Sequence, residues 1–79
     1  MIIYMSKADE MLKNIGFDEK TESEEEIRYQ DSGNEDINII FFKKYKVITG
    51  CPTYDYFLDM DILQAINEKV KELGWLDET

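Results

Sequence analysis

The apolar positions of this chain change period twice, from 3.6 residues to 2 and back again. In "SKADEMLKNIGF", residues 6–17, Ala8, Met11, Leu12 and Ile15 recur at helical spacing and make one narrow apolar stripe. Ser6 stands where a helix N-cap is needed, with Asp9 in the position of a capping-box acid. Asp9 and Glu10 fall in the first turn, where the helix dipole favours negative charge. Gly16 is the expected left-handed stop, and Phe17 can fold back onto the last turn.

From there the pattern alternates. Ile27 and Tyr29 share one face of a strand, and Glu22, Glu24, Glu26, Arg28 and Gln30 line the other. Carboxylates two residues apart on one strand would repeat every 6.6–6.8 Å or so, twice the rise per residue. "DSGNED" reads as a turn, with Gly33 and Asn34 able to take positive φ. "INIIFFKK" is the strongest strand, with Ile37, Ile39 and Phe41 on one face and Ile40 and Phe42 on the other. A reversal near Lys43–Lys46 leads into a third strand, "KVIT"; Gly50 and Pro52 end it. "YDYFL" is a short fourth strand, and "MIIYM" is either an extra strand or sequence upstream of a start at Met5.

"DMDILQAINEKVKELGWL" returns to the helical period. Asp59 caps it, and Asp61 adds a first-turn carboxylate. Ile62, Leu63, Ile66, Val70 and Leu73 are the expected buried stripe, with Gln64, Glu68, Lys69, Lys71 and Glu72 facing water. Gly74 ends it, and Trp75 or Leu76 packs back across the last turn. The order α–β–β–β(–β)–α predicts an α+β two-layer sandwich: an antiparallel meander of three or four strands, covered on one face by an N-terminal and a C-terminal helix. Residues 1–79 make a single small domain.

With that arrangement Ile40 and Phe42 point away from the helices, joined by one member of each pair Val47/Ile48 and Tyr56/Phe57. A half-exposed sheet face is normally polar. Large apolar side chains there call for a cover, supplied by "MIIYM", by a second copy of the chain or by a partner.

Charge changes the picture most. The chain carries −9, from eighteen acids and nine bases, with no histidine. Residues 18–36 hold nine of the acids against Lys20 and Arg28, a local −7, so the remaining sixty positions supply only −2. Such a surface repels nucleic acid and anionic membrane and attracts basic proteins. Without histidine there is no ready general base near neutral pH, and Cys51 has no basic neighbour in sequence to activate it. No glycine loop for phosphate is present. Asp55, Asp59 and Asp61 lack the ligand alternation of a calcium loop, so neither a metal nor a cofactor is expected. "FFKKYK", residues 41–46, interleaves aromatics and lysines, but as a lone cluster in an acidic chain it reads as a strand end with solvated lysines. The lone cysteine fits a reducing compartment, and no apolar run reaches the roughly 20 residues of a membrane span. The expectation is a soluble, cytoplasmic protein.

Two segments carry a resemblance. The opening "ADEMLKNIGF" and the closing "ILQAINEKVKELGWL" resemble those of small phage and prophage proteins of Firmicutes, in which an acidic strand region separates the two helices. "MIIYM" precedes the usual start of that group. The resemblance brings no activity with it; phage origin implies a protein that acts in the host cytoplasm by binding a host protein.

The expected function is therefore a non-enzymatic interaction protein, an acidic inhibitor of a host defence or nucleic-acid-binding protein. Glu22, Glu24, Glu25 and Glu26 would be its electrostatic part, and Ile40 and Phe42 its apolar anchor. The alternatives are a module that sequesters a small ligand such as a nucleotide, for which only Lys43, Lys44 and Lys46 cluster, and a homodimeric accessory protein of the phage.

Overall fold

The structure, a computed structural model, describes residues 6–51 and 59–75. In chain order its elements are α1 (Lys7–Asn14), β1 (Glu19–Glu22), β2 (Glu26–Asp31), β3 (Asn34–Phe42), β4 (Val47–Cys51) and α2 (Met60–Glu72). The strands form one antiparallel sheet in the order β1-β2-β3-β4. Both helices lie on one face of it, giving the expected two-layer α+β arrangement. "MIIYM" and "YDYFL" lie outside the described residues.

The helix boundaries follow from their caps. Ser6 Oγ accepts from Asp9 N at 3.1 Å, and Asp59 Oδ1 accepts from Ile62 N at 2.9 Å. At the far ends, Phe17 N donates to Leu12 O and Trp75 N to Val70 O, across glycines at φ +116 (Gly16) and +76 (Gly74). These bonds satisfy carbonyls that the helix itself leaves open. They also turn Phe17 and Trp75 inward. Phe17 is buried, and the Trp75 ring centroid lies 6.1 Å from that of Phe41.

The core is the inner face of the sheet. Ile27, Tyr29, Ile37, Ile39 and Phe41 are buried there against Leu12, Ile62 and Ala65. Tyr29 and Phe41 meet edge to face at 5.8 Å, a preferred aromatic geometry. Directly opposed residues of an antiparallel pair share a face. Ile48, opposite Phe41, therefore points to the helix side, and Val47, opposite Phe42, to the outer side.

Two expectations need correcting, and one turn takes a different form. The extended acidic segment is two strands, not one: β1 pairs antiparallel with β2 (Glu22 opposite Ile27), and residues 23–25 form the turn between them. Ser23 makes that turn, since its Oγ accepts from both Glu25 N and Glu26 N at 3.2 Å. The turn is the reversal at residues 31–34, which uses no positive φ. Instead Asp31 Oδ1 accepts from Gly33 N and Asn34 Oδ1 from Asp36 N, and Lys46 (φ 54) takes the left-handed position one turn later.

The second correction concerns α2. Leu63 is 45% exposed and Lys69 only 5%, so the helix is rotated from the face its apolar residues predict. Ile62, Ala65 and Lys69 face inward, with Ile66, Val70 and Leu73 partly buried beside them. The reason is electrostatic: Lys69 is held inward by Asp9 of α1.

Candidate functional site

The site residues named from the sequence fall on two separate surfaces. Glu22, Glu24, Glu25 and Glu26 surround the β1–β2 turn. Ile40 and Phe42 are half-buried on the outer face of β3, where Arg28 and Thr49 flank Ile40, and Glu26 and Val47 flank Phe42. Glu26 is the only one of the four glutamates in register with that apolar strip.

Because Glu22 belongs to β1 and Glu24 to the turn, no regular row of carboxylates runs along a strand. Two of the four glutamates are also occupied. Glu22 Oε2 lies 2.9 Å from Lys43 Nζ, and Glu26 Oε2 lies 3.3 Å from Arg28 Nε. The Lys43 bond is the chief reason the Glu22 carboxyl is held below its ordinary pKa. Lys43 also donates to Ser23 O at 2.6 Å, and its backbone N–H to Glu25 O at 2.9 Å, so the β3–β4 connection braces the acidic turn. Glu24 and Glu25 remain exposed at its apex.

A second acidic region lies at the other end of the sheet. Asp18 accepts from the Ser32 N–H and hydroxyl, both at 3.0 Å, tying the α1–β1 loop to the β2–β3 turn. These two bonds lower the Asp18 pKa. Asp31, Glu35 and Asp36 complete that end.

The most concentrated polar chemistry lies between the layers, where sequence reasoning placed only a capping acid and surface charges. Asp9 Oδ1 accepts from the Tyr29 hydroxyl at 2.5 Å and lies 3.3 Å from Lys69 Nζ; Oδ2 lies 3.0 Å from Lys20 Nζ. Lys69 also reaches Glu72 Oε1 at 3.3 Å, and Glu72 Oε2 accepts from Ala8 N at 3.0 Å. Lys69 Nζ and Lys20 Nζ stand 5.7 and 5.9 Å from the centroid of the Tyr29 ring, within cation–π range. Three side chains, from β1, β2 and α2, thus converge on the Asp9 carboxylate of α1, and Glu72 joins them through Lys69.

Burial, the largest single influence on Asp9, pushes its pKa up; the Tyr29 and Lys20 hydrogen bonds and the charges of Lys69 and Lys20 together outweigh it and bring it to about 2. Tyr29 moves the other way, its pKa raised by burial first and by the Asp9 carboxylate second. Among the described residues no buried side-chain nitrogen or oxygen lacks a hydrogen-bond partner. The cluster is therefore closed on itself. Its chemistry is that of a clamp between helices and sheet, and it explains the rotation of α2: turning Leu63 inward would carry Lys69 away from Asp9. The one sequence sign was Asp9, Lys69 and Glu72 at helical positions adjoining apolar stripes, which solvation explains equally well.

Among the described residues no three acidic or cysteine side chains are grouped to hold a metal ion, and no helix is long and apolar enough to cross a membrane. No family model, curated protein or solved structure matches the chain.

Proposed function

We propose that this chain is a non-enzymatic interaction protein, phage-encoded as the resemblance of its two helices implies, which binds a host protein through its acidic side and inhibits it. The observation that supports this reading is the braced β1–β2 turn. Ser23 and Lys43 together fix its backbone with four hydrogen bonds, leaving Glu24 and Glu25 exposed at the apex. A pre-formed acidic turn loses little conformational entropy on meeting a basic surface, so more of the electrostatic attraction appears as affinity. A host nucleic-acid-binding protein offers such a surface. Local anionic charge on a fixed turn, rather than a phosphate-like row, is the form the mimicry takes.

The test is capture of host proteins by the tagged chain, followed by mass spectrometry. The double charge reversal Glu24→Lys/Glu25→Lys should lose the captured protein, and Glu35→Lys/Asp36→Lys, at the other end of the sheet, should keep it. Equal loss with both pairs would mean attraction to net charge alone, and equal retention would end the proposal.

A further inference from the structure

The end of the sheet that carries the acidic turn also carries a turn of opposite charge. Residues 43–46, "KKYK", join β3 to β4. The Lys43 N–H donates to Glu25 O at 2.9 Å, across the β2–β3 pair. The two turns are therefore neighbours, one strand spacing of about 4.8 Å apart.

Lys43 is used inside the molecule, on Glu22 and Ser23. Lys44, Tyr45 and Lys46 are not. All three are exposed, and Tyr45, at 73%, is the most exposed large apolar side chain among the described residues. Lys44 Nζ stands 5.4 Å from the centroid of the Tyr45 ring, within cation–π range. Neither Lys44 nor Lys46 has an ion pair among the described residues, in a chain with twice as many acids as bases. Lys20, Arg28, Lys43 and Lys69 are paired with acids, and Lys13 and Lys71 stand in the last turns of helices, where the dipole favours a cation. Lys46 also takes φ 54, the left-handed region that glycine and asparagine occupy at less cost. Backbone geometry alone would favour glycine there, so the side chain accounts for the lysine.

We propose that Tyr45, flanked by Lys44 and Lys46, anchors this end of the sheet on a protein partner, its ring entering an apolar pocket whose rim carries carboxylates. On the reading above, which this extends and rests on, Glu24 and Glu25 meet a basic patch of that partner. The partner's surface is then of two kinds: cations facing the β1–β2 turn, and a pocket rimmed by acids facing the β3–β4 turn. Tyrosine suits the role, because it brings a large contact area with only two side-chain torsions to fix. Nucleic acid is the poorer occupant. A phosphate chain lying along the lysines would pass the Glu24–Glu25 turn at one strand spacing, inside the Debye length of about 8 Å at physiological ionic strength. A carboxylate on a folded protein is a single charge and can meet the lysines without passing the glutamates.

Photo-crosslinking in host lysate, through a benzophenone amino acid placed at position 45, tests the proposal. The expected product joins position 45 to the protein that the wild-type chain captures, at a peptide containing Asp or Glu. Tyr45→Ala and Lys44→Glu/Lys46→Glu should each lower capture of that protein roughly tenfold or more. The melting temperature of Tyr45→Ala should not change, because the ring is exposed. Reversing the acids of the crosslinked peptide to lysine should restore capture by Lys44→Glu/Lys46→Glu. Capture that survives both variants of the turn overturns the anchor, and leaves the acidic-turn reading standing if Glu24→Lys/Glu25→Lys still loses the protein. Loss with Tyr45→Ala but not with the glutamate pair supports the anchor and removes the acidic turn from the interface. A crosslink to nucleic acid, binding of a fluorescent oligothymidylate that Tyr45→Ala abolishes, failure of the charge reversal to restore capture, or no crosslinked protein at all would overturn the proposal.

Discussion

Lys69 Nζ lies 3.3 Å from Asp9 Oδ1, sixty residues away in sequence, with both side chains nearly out of water. Neither charge would be stable there alone. Lys69→Ala removes one and leaves Asp9 and Glu72 short of a partner; loss of about 3 kcal/mol is expected, since breaking a buried pair costs more than the pair contributes. Lys69→Met, which keeps the apolar stem, should lose less. Urea unfolding of the two variants checks the difference.

The same carboxylate sets an acid limit. The folded-state pKa of Asp9 is about 2, below the value of 3.8 for a free aspartate. A depressed pKa contributes stability that is complete above the unfolded value and lost as pH falls through the folded one. That contribution is on the order of 2 kcal/mol, and it should disappear between roughly pH 4 and pH 2. Asp18 and Glu22 are shifted in the same direction and add to the slope. Protonating the remaining acids relieves repulsion and works the other way, so the quantity to measure is the difference between wild type and Asp9→Asn. That difference should shrink as the pH approaches 2.

Tyr29 sets the alkaline counterpart. Its folded pKa is raised, so the stability it contributes is intact below the unfolded value of 10.0 and lost as pH rises above it. In absorbance titration at 295 nm, Tyr29 should stay protonated in the folded chain and titrate only as the chain unfolds. Tyr29→Phe, which deletes the donor but keeps the ring, should cost about 1–2 kcal/mol and abolish this late step.

Two glycines at positive φ should respond very differently to alanine. A Cβ on Gly50 (φ +138) would lie 2.2 Å from Asn38 O and 2.9 Å from the Ile39 Cα, both backbone atoms of β3. One on Gly74 (φ +76) meets nothing within 4 Å. Gly74→Ala should cost only the left-handed strain, about 1–2 kcal/mol. Gly50→Ala should cost more than that and loosen the β3–β4 pairing. Thermal melts rank the two, and amide exchange at Thr49 and Ile39 reports the local opening.

The sequence by itself determined the elements whose signals are local. Ser6 and Asp59 start the helices and Gly16 and Gly74 end them, because caps and left-handed stops depend on a few neighbouring backbone groups. Alternation along "INIIFF" set the two faces of β3 and so sent Ile40 and Phe42 outward. Strand β1 carried no such signal: all four of its residues are exposed, so no apolar period marks it, and the Ser23 turn that separates it from β2 was hidden among glutamates. The tertiary structure alone decided where the charges went. A lysine or aspartate on a helix looks the same in sequence whether it meets water or a counter-ion from a distant strand. Lys69 went inward because Tyr29, Asp9 and Glu72 meet it between the layers. Glu22 and Glu26 were taken up by Lys43 and Arg28, while Glu24 and Glu25 stayed in solvent, because folding β1 back on β2 put the turn, and not a strand face, at the acidic centre of the chain.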